Sequence, residues 1–274
     1  MALTIQLLSD LHLECQPDWK PEPAPGADLL VLAGDIGSYQ QGSALATLGD
    51  PHFGLGRFSP AEGWPCPVLF VPGNHEYDGL DFDEAHQRLQ DSCHTLGIHW
   101  LEQQTLNFGG VRFIGTTLWS DFDALDNRPD HGRAPGKSGR DKAMRAANYY
   151  LQTTGTHRQG KPFLAEQVRE QALRSQSWLR HALAVPAAEP TVVVTHFAPS
   201  LHSADPRYGM TPGTAGFCNS LDALTQDADL WLHGHLHCTS DYRLGRCRVV
   251  ANPLGYAEKG EQAAFRPQRT VQIG

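Results

Sequence analysis

Several short apolar runs in this sequence end directly in residues of the kind that bind metal ions. The runs are rich in Val, Ile and Leu and too short for helices, which predicts strands of a sheet that is buried on both faces. In open α/β sheets, sites form at the carboxyl ends of the strands, so segments far apart in sequence can meet there. The predicted strand ends with such residues are Asp10-Leu11-His12, Gly34-Asp35, Gly73-Asn74-His75-Glu76, Thr195-His196 and Gly234-His235-Leu236-His237.

The residue types at these strand ends predict a metal centre. Carboxylate oxygen and imidazole nitrogen suit borderline divalent metals such as Mn, Fe and Zn. Residues two apart on an extended segment point to one face, so the pairs Asp10/His12 and His235/His237 can each direct two ligands to one site. A carboxylate such as Asp35 can bridge two ions. Glycine precedes three of the motifs and lets the backbone turn tightly beside the metals.

The segments between the strands show helical periodicity, and this alternation predicts an α/β fold with residues 1–274 in a single domain. Hydrophobic residues make up 40% of the chain, which is enough for a sizeable core. Predicted helices cover Phe82–Leu96, Phe163–Leu183 and Leu221–Leu224, and further strands are predicted at Val111–Ile114, Arg248–Ala251 and Thr270–Ile273.

The segment from Ser120 to Lys161 interrupts this alternation. It is polar, has no strand signal and holds eight of the chain's 22 Lys and Arg residues. We interpret it as an insertion that is partly helical around Lys142 to Leu151. Because it follows a strand expected to end on the metal side, it is placed to form a substrate-selecting cap. Candidate contacts are Trp119 for stacking on a ring and Arg133, Arg140 and Arg145 for a second phosphate. Packing of the aromatic residues onto the sandwich is an equally good interpretation.

The composition of the chain limits its possible binding partners and its cellular location. The net charge of −8 argues against long nucleic acid as a partner. Met1 to Asp10 contain no Lys or Arg, and no run reaches the ~18 apolar residues of a membrane span, so neither a secretory signal nor a membrane is expected. The six cysteines form no regular framework, which favours free thiols in the cytoplasm. The oligomeric state cannot be read from the sequence.

The motifs D-x-H, G-D, G-N-H-E, T-H and G-H-x-H, in this order from Asp10 to His237, resemble those of the calcineurin-like metallophosphoesterases. The resemblance implies a four-layer αββα sandwich, in which two mixed β-sheets are flanked by helices. It also implies two divalent metal ions, of Mn, Fe or Zn. By the same resemblance, Asp10, His12 and His237 hold one ion, Asn74, His196 and His235 hold the other, and Asp35 bridges them.

Two further residues of the G-N-H-E motif receive roles. The resemblance makes His75 a non-ligand histidine near the leaving group, where it can donate a proton or contact the phosphate. A histidine that only orients a ligand is the alternative. Glu76 is interpreted as a carboxylate that holds an imidazole in place.

Departures from known subfamilies indicate the type of substrate. The stretch after Asp35 lacks the Asp and Arg of the protein Ser/Thr phosphatases, and Ser38 stands where purple acid phosphatases have Tyr. What remains resembles the bacterial small-molecule phosphodiesterases. We expect hydrolysis of a small anionic phosphoester, preferably a nucleotide-like phosphodiester, by direct attack of a metal-bridging hydroxide. The alternatives are a nuclease of the same superfamily and a non-catalytic scaffold on the same fold.

Overall fold

Two large mixed β-sheets and a small hairpin form the framework of the computed structural model, which describes residues 2–126 and 139–274. The strands are β1 (Leu3–Leu8), β2 (Leu29–Ala33), β3 (Val68–Val71), β4 (His99–Trp100), β5 (Gln104–Phe108), β6 (Val111–Thr116), β7 (His157–Arg158), β8 (Lys161–Pro162), β9 (Thr191–Thr195), β10 (Leu230–His233), β11 (Ser240–Leu244), β12 (Cys247–Ala251) and β13 (Thr270–Ile273). The α-helices are α1 (Ala44–Leu48), α2 (Phe82–Leu96), α3 (Gly139–Thr154), α4 (Ala165–Ala184) and α5 (Asp222–Thr225).

The first sheet has the strand order β13-β1-β2-β3-β4, and the second has β11-β12-β10-β9-β6-β5. Strands β1 to β4 run parallel to one another, as do β6, β9, β10 and β12, while β13, β11 and β5 pair antiparallel at the edges. In each sheet, the carboxyl ends of the parallel strands therefore lie along one edge. The hairpin β7-β8 stands apart from both sheets.

The two sheets pack face to face through the alternating side chains of their strands. In β2, for example, Leu29 and Val31 lie in a core shared with Val192 and Val194 of β9. Residues one position further along, such as Leu30, join the core under the helices. Because successive side chains of a strand point to opposite faces, both faces of these strands are apolar and buried. This alternation produces the inner layers of the sandwich.

Helices α2 and α4 cover the outer faces because each carries an apolar stripe at helical spacing. In α2 the Asp81 carboxylate caps the first turn by accepting from the Asp83 amide, and Gly97 ends the helix in the left-handed conformation. Helix α4 buries a similar stripe that includes Val168 and Leu179. The expected fold class, two mixed sheets flanked by helices, is confirmed.

The insertion differs in detail from the expectation. Its helix is longer than predicted and becomes α3, and the hairpin β7-β8 supplies two short strands where the sequence showed no strand signal. The edge strands β4, β5 and β11 were also missed, because their half-exposed residues lack a continuous apolar run. Within residues 2–126 and 139–274, no helix has the length and apolar character needed to cross a bilayer.

Candidate metal centre

The metal-type residues meet because the carboxyl ends of β1, β2 and β3 face those of β9 and β10 across the gap between the sheets. An isolated backbone bridge joins Ser9, which follows β1, to Pro253, which follows β12. At this edge the Asp35 carboxylate, which follows β2, lies 3.1 Å from the Nε2 atom of His196, which follows β9. Side chains from both sheets thus form one cluster.

One group of ligand-type atoms belongs to Asp10, His12 and His237. Their atoms lie within 4.8 Å of one another. The Nε2 atoms of His12 and His237 are 3.0 Å apart, and His237 Nε2 is 3.5 Å from Asp10 Oδ1. These three residues are the ones that the resemblance assigns to the first ion.

A second group adjoins the first and consists of Asp35, His196 and His235, again within 4.8 Å of one another. His196 Nε2 lies 3.2 Å from both His235 Nδ1 and the Oδ1 atom of Asn74. The amide of Asn74 therefore completes this group. All seven side chains predicted as ligands lie in the cluster, while their binding of metal stays a prediction.

The donor set fits divalent cations. Asp10 and Asp35 are buried, and among the described residues the Oδ2 atom of Asp10 makes no hydrogen bond, while that of Asp35 has only the His196 ring beside it. A buried carboxylate without compensation is costly, and a cation supplies that compensation. Carboxylate, imidazole and amide ligands together suit Mn, Fe or Zn.

The electrostatics of the cluster also favour positive charge. Burial alone would lower the pKa of His237, but the carboxylates of Asp10 and Glu261 outweigh it and raise the pKa to about 9. Burial likewise opposes a charged His196, and Asp35 raises the pKa of His196 to about 9. The negative potential that holds protons on these imidazoles is equally able to hold metal ions.

The backbone at the ligands is strained. Non-glycine residues rarely adopt positive φ, and such strain is typical of functional sites. Five of the seven predicted ligands have positive φ: Asp10 (53°), His12 (45°), Asp35 (55°), His235 (74°) and His237 (48°). The left-handed turns let consecutive segments present their side chains to the same small volume.

Glycines before the ligands leave room for this approach. A Cβ atom on Gly73 would overlap the Asp35 carboxylate, and one on Gly34 would overlap the His196 ring. Gly34 also has a φ of 85°, which favours glycine. Both glycines are therefore required by the close approach of two ligand segments.

Several of the imidazoles are held by groups outside the cluster. Glu14 Oε1 lies 3.0 Å from His12 Nδ1, and Glu261 Oε2 lies 2.7 Å from His237 Nδ1. The backbone carbonyl of Ala33 lies 2.8 Å from His196 Nδ1. An Nδ1–H that donates to these oxygens leaves Nε2 free for a metal. Neither glutamate was predicted from the sequence, although Glu14 stands only two positions after His12. Glu261 has no comparable signal.

The role expected for Glu76 needs correction. Its carboxylate does not hold an imidazole but accepts backbone N–H bonds from Asp35, Ile36 and Gly73, at 3.1, 2.6 and 2.8 Å. Glu76 therefore fixes the two loops that carry Asp35 and Asn74 to each other.

His75 lies beside the cluster and has partners on both ring nitrogens. Its Nδ1 atom is 2.5 Å from Asp78 Oδ2, and its Nε2 atom is 3.3 Å from the hydroxyl of Tyr150 in α3. Burial would lower the pKa of His75, but Asp78 and Asp35 together raise it well above its ordinary value. His75 is also within 4.8 Å of ligand atoms of His12 and Asp35. The two carboxylates thus favour a protonated imidazole at the edge of the cluster.

The residues expected to select the substrate behave differently. Trp119 lines a cavity beside the cluster and is 5% exposed. The structure does not bring Arg140 or Arg145 to that cavity, because Arg140 pairs with Asp123 and Asp126 while Arg145 is exposed on α3. Arg133 lies outside the described residues.

This cavity has a volume of about 470 Å³ and opens directly onto the cluster. Its lining includes Asp35, Asn74, His75, His235 and His237 at one end. The lining continues along α3 and along the 3-10 helix Pro212–Gly216. Part of the predicted insertion therefore forms a wall beside the cluster.

Comparisons with known proteins identify the family and the fold. A sequence model of the calcineurin-like phosphoesterase family matches residues 4–239. The uncharacterized protein L509 of Acanthamoeba polyphaga mimivirus is 26% identical over 295 aligned residues, which cover 98% of this chain and 96% of that protein. The crystal structure of a phosphopantetheinyl hydrolase (PptH) from Mycobacterium tuberculosis superposes with a TM-score of 0.67 at 18% identity, covering 98% of this chain and 95% of that one.

Proposed function

The chain belongs to the calcineurin-like phosphoesterase family and is a metal-dependent phosphoric ester hydrolase, and we propose that it cleaves a small phosphodiester at a centre of two divalent ions. Asp10, His12 and His237 would hold one ion. Asn74, His196 and His235 would hold the other.

The position of Asp35 is the observation that supports two ions best. Its carboxylate lies within 4.8 Å of ligand atoms of His12 in one group and of His196 and His235 in the other. A carboxylate that reaches both groups is able to bridge two cations. Bound there, the ions supply Lewis-acid stabilisation of phosphoryl charge and activation of water, and this donor set suits Mn, Fe or Zn.

His75 supports the departure of the leaving group in this proposal. Asp78 accepts a hydrogen bond from Nδ1, so the second ring proton stands on Nε2, which points toward Tyr150 and the cavity. The raised pKa keeps this proton on the ring near neutral pH. A proton donated from Nε2 neutralises the departing alkoxide.

The size of the cavity favours a small diester. At about 470 Å³ it accommodates one organic substituent beside the ligand cluster. The net charge of −8 continues to argue against long nucleic acid as substrate.

The six cysteines are free thiols, which supports the expected cytoplasmic location.

Metal reconstitution tests the proposal. Protein stripped with a chelator should lose hydrolysis of bis(4-nitrophenyl) phosphate and recover it with Mn, Fe or Zn. Elemental analysis and anomalous scattering should then find two ions per chain, with Asp35 between them. A panel of phosphomonoesters and phosphodiesters, with a phosphopantetheinyl ester included, would identify the preferred class. Full activity without bound metal would contradict the proposal, and one ion per chain would contradict the dinuclear centre.

A further inference from the structure

The walls of the cavity away from the ligand cluster are mainly apolar. Helix α3 contributes Ala143, Ala147 and Leu151, three residues of one helical face. The lining also includes aromatic rings, among them Phe122 and Phe197. The small alanine side chains keep open the space between the helix and these rings.

The aromatic wall is held in an unusual backbone conformation. Trp119 and Phe122 have φ of 51° and 62°, which is rare for bulky residues. Asn219 fixes this segment, because its Nδ2 donates to the Trp119 carbonyl at 2.8 Å and its Oδ1 accepts from the Asp121 amide at 3.1 Å. Strain of this kind persists where it serves a site. Here it directs two aromatic side chains into the cavity.

The charged residues of the lining have partners of their own. Asp205 pairs with Arg207, and Glu261 holds His237. Among the described lining residues, Lys259 is the one cation other than histidine, and its Nζ lies 4.5 Å from the centre of the Tyr256 ring. The described lining therefore offers little to bind a second phosphate.

The hydroxyl of Thr214 is engaged in the same way. It accepts from the Thr211 amide at 3.0 Å and donates to the Gly209 carbonyl at 3.1 Å. A nucleobase is recognised by hydrogen bonds to its edge, and this wall group is committed to its own loop. Large exposed aromatic residues stand instead among the lining residues, with Tyr150 at 50% and Phe217 at 45% exposure. An exposed apolar surface of this kind is typical of a binding site for apolar groups.

From this combination we propose that the cavity receives an uncharged, mainly apolar alcohol group of the phosphodiester. The inference rests on the proposed function and replaces the nucleotide-like substituent expected from the sequence. The phosphate lies at the ligand cluster, and the apolar group extends between α3 and the aromatic wall.

A homologous series of substrates tests this directly. In 4-nitrophenyl alkyl phosphodiesters with methyl, butyl and hexyl groups, the reporter group is constant and the apolar length varies. The value of kcat/KM should rise about fourfold per methylene until the cavity is filled, since each buried CH₂ contributes ~0.8 kcal/mol. The 4-nitrophenyl diester of thymidine should be a poorer substrate than the hexyl ester.

Variants on α3 locate the effect. Ala147→Leu fills the cavity and should reduce the rise from methyl to hexyl by at least about tenfold. Ala182→Leu is the matched control, because Ala182 is also a partly buried helix residue packed on the same core, but it does not line the cavity. In Ala182→Leu, kcat/KM should rise from the methyl to the hexyl ester as it does in the parent. Thermal unfolding verifies that both variants fold, and Ala146→Leu replaces Ala147→Leu if the latter does not.

A binding measurement is independent of turnover. Calorimetry with methylphosphonate and hexylphosphonate on the parent protein should give tighter binding of the longer compound, with a negative heat-capacity change.

The possible failures are distinguishable. No hydrolysis of any diester of the series with any metal would overturn the proposed function itself. Three results would overturn only the proposal that the cavity receives an apolar group. They are hydrolysis that does not depend on chain length, a preference for the thymidine ester, and an unchanged rise in Ala147→Leu.

Discussion

The two sides of this site are built by different means. On the metal side, short loops after buried strands carry the ligands, and five of these seven residues have positive φ. On the α3 side, the wall is a regular helix that presents small side chains, and its charged residues point elsewhere. The function of the metal side depends on the types of residue that are present. The function of the α3 side depends on the space that its side chains leave free.

This difference explains which side chains could be placed at the site from the sequence. A metal ligand must be one of a few residue types, so its position is visible in the sequence as soon as the strand ends are known. A cavity wall accepts many small or apolar residues, and Ala143 or Ala147 looks like an ordinary helix residue. The arginines were predicted to bind substrate because of their charge, although Arg140 forms ion pairs with Asp123 and Asp126.

The strongest test of the metal side is Asp35→Ala. If the carboxylate bridges two ions, its loss should lower kcat by at least ~10³-fold, since metal ions contribute several kcal/mol of charge stabilisation. Chelation of the parent should have a similar effect that is reversed by added Mn. The metal-free variant should still fold but unfold at a lower temperature than the metal-free parent, because the buried His196 loses the carboxylate that raises its pKa. An active Asp35→Ala enzyme with two ions would exclude the bridge.

The next effect concerns His75. His75→Ala should lower turnover of esters with a poor alkoxide leaving group by ~10²-fold and that of nitrophenyl esters only a few-fold, because a good leaving group needs no proton. Metal content should equal that of the parent. Equal losses on both classes of ester would assign His75 to phosphate contact or orientation instead.

The carboxylates of Glu14 and Glu261, which contact the imidazoles of His12 and His237, should increase metal affinity. Glu14→Gln and Glu261→Gln each weaken the hold on one imidazole of the first group, and we expect the Mn concentration needed for half-maximal activity to rise ~10- to 100-fold. Glu258→Gln is the control, because Glu258 is exposed and lies three positions before Glu261. If all three variants need the same Mn concentration as the parent, these carboxylates only stabilise the fold.

A smaller effect is expected where the two sides meet. Tyr150→Phe removes the hydroxyl that lies 3.3 Å from His75 Nε2 and should lower kcat/KM about fivefold, the worth of one hydrogen bond. Tyr149→Phe is the matched control. Tyr149 is 84% exposed, so loss of its hydroxyl should not change kcat/KM. A faster Tyr150→Phe enzyme would show that the phenol obstructs the substrate.

The smallest effect is expected for the arginines of α3. Arg140→Ala and Arg145→Ala should change KM by less than about twofold, and Arg140→Ala should lower the free energy of unfolding by less than ~1 kcal/mol, as for exposed ion pairs. Steady-state kinetics and denaturant unfolding measure both. A several-fold rise in KM would return these residues to substrate binding and would weaken the contrast between the two sides.

The sequence by itself determined the layers and the cluster of ligand-type residues. Strands such as Leu29–Ala33 are continuous apolar runs, and the periodicity of Phe82–Leu96 gave the bounds of α2. Those patterns are local, because burial on both faces or on one helical stripe is written into consecutive residues. Ligand-type residues at successive strand ends then had one edge at which to meet.

The tertiary structure alone decided what surrounds them. The contact of Glu261 with His237, the use of Glu76 for backbone amides and the pairing of Arg140 with Asp123 depend on how loops fold back over the sheets. Such contacts join residues that no periodicity relates, and a charged side chain takes whichever partner the packing supplies. The apolar cavity arises in the same way, from the distance between α3 and a strained aromatic segment, which is a property of packing and not of residue type.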